Sequence, residues 1–229
     1  MIRNHLFNVA ACLAVSWASL GAWSPAFHEV QTGRAARLLP KRMAAFLATH
    51  ARELVSGARG QANDQVPTVE DVEEQFRRIV ALTEDHKRPE RIARELGVLA
   101  HQVQLLMDPS AVVGVSSLRE SFQAYGDEKL PKLVLSREPF WAVTSPLDPR
   151  PRLVQWAQVK FDRNQALQEC FDEATGRRKG GWDELSVPFA QLQLSYSNGI
   201  NGTANIWIQL WRAVGDQWDA PGDESIARD

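Results

Sequence analysis

Apolar residues recur at helical spacing along most of this chain, and nowhere does a period of two persist between turn signals. Leu96, Leu99, Val103 and Leu106 keep the helical spacing, with Leu105 and Met107 beside them. Farther on, Phe189, Leu192, Tyr196, Ile200, Ile206, Trp207, Leu210 and Trp211 fall within one long stretch, 188–214. Patterns of this kind bury one helix against others. They predict an all-α fold, a single-domain bundle of six to seven helices over 23–215. A chain of 229 residues is long enough for one sizeable core.

The remaining elements follow from punctuation. Residues 27–57 read as two helices broken at Leu39-Pro40, with Pro40 suited to the first turn of the second. Residues 56–67 are a loop by composition. Thr68 and Asp71 make a capping box ahead of the next helix. A helix over 88–107 stops before Asp108-Pro109. Ser117 and Glu120 suggest a cap for a short helix after it. Residues 131–151 hold five prolines and read as an irregular crossing segment, followed by a long helix over 152–174.

The first 22 residues form a separate object. Arg3 is followed by an uncharged apolar run that ends in the small pair Gly21-Ala22, the pattern of a signal peptide cut before Trp23. The expected location is therefore periplasmic or secreted, with no transmembrane helix in the mature chain. Cleavage would remove Cys12 and leave Cys170 as the only thiol, so no intramolecular disulfide is expected. The end, 216–229, reads as an acidic, disordered tail. A net charge of −2 gives no bulk electrostatic argument for nucleic acid or an anionic membrane.

No P-loop, GxSxG, CxxC or HExxH is present. His50 and His86 read as residues without a site role. Trp23 and His28 are more informative. If the leader is cut at Ala22, Trp23 contributes a free α-amino group, which can chelate a metal together with its own carbonyl. His28, five residues on, is near enough to join it. His101 lies among apolar residues and amides near the buried face of its helix. It reads either as a neutral, hydrogen-bonded core histidine or as a remnant of a metal site. Phe140 and Trp141 read as core cover, with an apolar lip for lipid as the alternative.

The stretches "WSPAFHEVQTGRAARLLPKRMAAFLATHARELV", "RELGVLAHQVQLLMDP" and "LSYSNGINGTANIWIQLW" resemble, in turn, the mature start, the central helix and the closing helix of the zinc-dependent phospholipase C and P1/S1 nuclease superfamily. The resemblance implies an all-α bundle that hydrolyses phosphodiesters, in phospholipid or nucleic acid, with a cluster of three zinc ions. It implies Trp23, His28 and His101 as zinc ligands, with Asp64 as a more loosely aligned carboxylate. Departures from that pattern are deep. Leu105 stands where the bridging Asp is expected and Ala111 where the second His is expected. Arg119 and Gln123 stand at the downstream ligand positions, and 65–75 offers no second histidine. Leucine cannot ligate a metal, and arginine brings a fixed positive charge. Asp108 could offer a substitute carboxylate, although an Asp before Pro is more simply a helix terminator.

Two functions follow as expectations. One is an exported, catalytically impaired binding or structural module with an eroded metal cluster. The other is a phosphodiesterase working with one or two zinc ions. An all-α envelope protein unrelated to this superfamily is the third reading of the same residues.

Overall fold

The computed structural model describes residues 23–60, 66–112, 116–143 and 146–215. The leader at 1–22, Asp64 and the tail at 216–229 lie outside the described residues. Among those described, eight helices follow in order: α1 (Pro25–Arg37), α2 (Lys41–Thr49), α3 (Ala51–Ala58), α4 (Val69–Glu84), α5 (Pro89–Leu106), α6 (Ser116–Lys129), α7 (Arg150–Glu169) and α8 (Val187–Ala213). Short 3-10 turns lie at Leu130–Lys132 and Trp141–Val143. The fold is all-α. No helix among these residues is long and apolar enough to cross a membrane.

Two helices are buried nearly all round. In α5 the buried set runs Ile92, Ala93, Glu95, Leu96, Gly97, Leu99, Ala100, His101 and Val103–Leu106. In α8 it runs almost unbroken from Ser195 to Leu210. A helix apolar on all sides is stable only when others surround it. Accordingly α5 packs on α1, α3, α4, α7 and α8. One large core cluster joins Trp23 and Phe27 to Leu96, Leu99, Phe122, Tyr196 and Trp207.

Local chemistry sets the boundaries. Thr68 Oγ1 accepts from the Asp71 amide at 3.2 Å, while Asp71 Oδ2 accepts from the Thr68 amide at 2.7 Å. That reciprocal capping box starts α4. Pro40 caps α2 rather than lying in its first turn. The stretch expected as one helix after Pro40 breaks at His50, whose φ of −112° and ψ of 31° leave the helical range. Thr49 Oγ1 turns back to the Ala45 carbonyl at 3.0 Å there, a local bond that competes with helix continuation. Because α6 begins at Ser116, Ser117 lies inside it and is not its cap.

The long helix expected to reach 174 ends at Glu169. Phe171 and Asp172 instead pair with Arg178 and Arg177 in a small antiparallel hairpin, β1 (Phe171–Asp172) and β2 (Arg177–Arg178). Asp172 Oδ1 accepts from the amides of Ala174 and Thr175, and Gly176 takes a φ of 66°. Aspartate and glycine at these places make a turn, not a further helical turn.

Residues 133–140 of the proline-rich crossing segment form neither helix nor strand, and the backbone of 134–138 lies along α8. Phe140 and Trp141 are half-buried against the core, and Trp141 meets Trp156 edge to face at 6.0 Å.

The closest helix contact is between α3 and α5. A Cβ added to Gly57 would lie 2.0 Å from the Arg94 carbonyl oxygen, and one added to Gly97 would lie 2.0 Å from that of Leu54. Both obstacles are backbone, so no side-chain rotation relieves them. Alanine favours a helix over glycine by only about 1 kcal/mol. Gly97→Ala is therefore expected to destabilise the fold by about 3 kcal/mol, at the upper end of overpacking costs. Urea unfolding of the purified chain measures this, and Gly33→Ala, where nothing lies within 4 Å, is the control expected to be neutral or stabilising.

Candidate functional site

The crossing of α3 and α5 puts the Ala58 carbonyl against His101. The His101 Nδ1 donates to that oxygen at 3.0 Å. A carbonyl can only accept, so His101 carries its proton on Nδ1. On α1, His28 is buried and its Nδ1 donates to Gln104 Oε1 at 2.7 Å. Gln104 in turn donates through Nε2 to Thr32 Oγ1 at 3.0 Å. The two imidazoles meet with ring centroids 4.1 Å apart. Histidines from α1 and α5, distant in the chain, thus form one buried pair.

His28 Nε2 is buried and has no hydrogen-bond partner. Burial holds the His28 pKa well below the usual histidine range. The neighbouring His101 lowers it further, and the bond to Gln104 opposes the shift. His28 is therefore neutral at pH 7 and presents an unprotonated Nε2.

Trp23 lies just ahead of α1. Its ring stacks on Phe27 at 4.3 Å, meets Phe122 at 5.2 Å and lies over Gly126, where an added Cβ would come within 2.6 Å of the indole. Ser24 then caps α1, its Oγ accepting from the Phe27 amide at 3.1 Å. The side chain of Trp23 is thus a core residue, and its neighbours fix the start of the helix that carries His28.

A cleft of about 490 Å³ opens between α3, α4 and α5, with His101 on its wall beside Gln102, Leu105, Val66 and Gly57. Gln75, Arg78, Arg94, Asp71 and Glu74 also line it. Leu105 and Ala111 are fully buried and pack together with Val66 in a small apolar cluster of their own, separate from the main core. Leu105 and Ala111 stand at the positions expected to carry a bridging carboxylate and a second histidine. Neither side chain offers a donor, so a three-ion cluster does not fit there. Among the described residues no three His, Cys, Asp or Glu side chains converge as a metal site.

Asp108 does not join the histidines in any such group. It is fully buried, and its Oδ1 accepts from the Ser110 amide and hydroxyl, both at 2.8 Å. The aspartate thereby closes the turn after α5. Burial pushes its carboxyl up to about 6, against the opposing pull of the Ser110 bonds, Arg119 and Lys160. Lys160 on α7 is itself buried, which lowers its pKa. Sequence reading missed Gln104, Ala58 and Lys160 as partners. Only Gln104 had a visible signal, an amide in a run of apolar residues on the same helix.

No family model, curated protein or solved structure matches this chain.

The two buried titratable groups have opposite pH signatures. His28 has a lowered folded pKa, so the stability it allows is present above about pH 6.5 and is lost as pH falls below it. Asp108 has a raised folded pKa, so its cost is present above about 6 and is relieved as pH falls toward 4. Asp108→Asn keeps an acceptor for Ser110 and removes the titration. The stability of this variant relative to the parent is expected to be about 2 kcal/mol more favourable at pH 8 than at pH 4.5. His28→Gln is expected to flatten the loss below pH 6.5. Chemical denaturation across this pH range checks both.

Proposed function

We propose that this chain is an exported, non-catalytic relative of the zinc-dependent phospholipase C and P1/S1 nuclease proteins, acting as a binding or structural module through the cleft between α3, α4 and α5. One observation carries the reading. Leu105 on the wall beside His101, and Ala111 packed with it in one apolar cluster, put hydrocarbon at two positions where the resemblance expects metal ligands. Arg119, at another expected ligand position, lies within electrostatic reach of Asp108. A guanidinium there favours a carboxylate and repels a cation.

A second reading has its own support. His28 and His101 are adjacent, and each has its Nδ1 anchored to an oxygen, which leaves Nε2 as the ligating nitrogen. These two imidazoles, with the Trp23 amine and Asp64, are the residues that would hold one or two zinc ions. Bound zinc would polarise a phosphoryl oxygen and lower the pKa of its water. On this reading the chain is a reduced phosphodiester hydrolase.

Metal analysis and turnover together separate the two. The processed chain, purified from the periplasm, is expected to hold less than one tightly bound zinc per molecule. It is expected to hydrolyse neither a chromogenic phosphocholine ester nor single-stranded DNA with zinc added. Turnover that disappears with chelation and with His101→Ala would overturn the non-catalytic reading in favour of the second. If zinc binds weakly through the Trp23 amine, adding one residue ahead of Trp23 is expected to weaken it, because an amide nitrogen is a poor ligand at neutral pH.

A further inference from the structure

The extended segment 134–138 is held by a row of side chains on α8. The Val134 amide donates to Gln193 Oε1 at 3.1 Å, and Gln193 Nε2 donates back to the Val134 carbonyl. The Ser136 amide donates to Ser197 Oγ at 3.1 Å. Asn201 Oδ1 accepts from the Glu138 amide at 3.4 Å, while its Nδ2 donates to the Ser136 carbonyl at 2.8 Å. Every fourth residue of the helix thus engages every second residue of the extended chain. Side chains four apart share one face of a helix, and alternate amides share one edge of a strand, so the two repeats run side by side.

The hydrogen bonds to this row read backbone alone. Every atom engaged on the extended side is a main-chain N–H or C=O. Val134 is 71% exposed, and Ser136, Arg137, Glu138 and Pro139 also point to solvent. Leu135 is half-buried and packs against the core, and Glu138 lies within electrostatic reach of Arg163. No backbone–backbone hydrogen bond is recorded for 134–138 among the described residues. Detaching the segment therefore costs a few hydrogen bonds that water can replace, together with the packing of one half-buried leucine. The helix beneath it keeps its own bonds and stays formed.

We propose that α8 carries a receptor for extended polypeptide, filled in cis by a releasable strap of residues 134–138. The partner it fits is an extended peptide with free amides on alternate residues and one apolar side chain at the place of Leu135, whatever its other side chains. This is strand addition performed on a row of helical side chains instead of a sheet edge. It does not depend on the fate of the metal site.

Ser136→Pro tests the proposal in the full chain. Proline suits the extended backbone and removes the donor to Ser197. Losing one or two such bonds is expected to speed hydrogen exchange at the Val134 and Glu138 amides by about five- to thirtyfold, leaving the α5 amides Leu99 and Val103 unchanged. A labelled peptide with the sequence of 133–139 is expected to bind the variant more tightly than the parent by a similar factor. A peptide scrambled around a fixed Leu135 should bind equally, and one N-methylated at alternate residues should not bind. Val134→Pro breaks the adjacent rung and should act alike. The proposal is overturned if strap and α5 amides accelerate together, if the strap amides do not respond, or if the peptide fails to bind a variant whose strap amides exchange rapidly. It is equally overturned if the N-methylated peptide binds as well as the plain one, or if scrambling abolishes binding.

Discussion

The close approach of α3 and α5 at Gly57 and Gly97 is the constraint on which the site depends. With backbones this near, the Ala58 carbonyl reaches His101 and sets its tautomer. The same approach brings Gly57 and Gly60 to the rim of the cleft beside that histidine. Any side chain at either glycine would push the helices apart and break the bond to His101 along with the packing. Stability and site geometry are one property here, carried by the absence of two methyl groups.

The interior around this crossing is unusually polar for a helical core. His28, Gln104 and Thr32 form one hydrogen-bonded chain, Gln75 and Glu95 form another, and Asp108 turns in on Ser110. Buried polar groups cost free energy unless paired, and each pairing here satisfies one particular helix arrangement. Such networks make alternative packings of the same helices unfavourable. Two buried atoms in these networks have no hydrogen-bond partner, His28 Nε2 and Asp108 Oδ2.

How much of this was legible in the sequence depended on distance along the chain. The all-α class, the capping box at Thr68 and the apolar face of α5 rest on local spacing, and local spacing can be read directly. The break at His50 and the hairpin at Phe171–Asp172 were missed. In both, an apolar period continues through residues whose side chains bond to nearby backbone, and periodicity does not register that competition. His28 and His101 could be named individually, but their adjacency is tertiary. The role of Leu105 is similar. As a letter it is only a missing carboxylate, and its contact with Ala111 and Val66 turns that absence into packing. Lys160 gave no signal, because a lysine in an amphipathic stretch ordinarily faces water.

The hold of α8 on its strap has a built-in length limit. Four helical residues rise about 6.0 Å, whereas two extended residues span about 6.6–6.8 Å. The two rulers differ by more than half an ångström at each mark, so the pairing drifts out of step after a few rungs. The next partner of α8 is in fact not the amide at 140. Asn205 accepts from the Ala142 amide at 3.1 Å, and the 3-10 turn at Trp141–Val143 takes up the surplus chain between them. A helix used in this way can measure out a segment of about five residues and no more, so the mismatch of pitches acts as a gauge that fixes where the extended run must end.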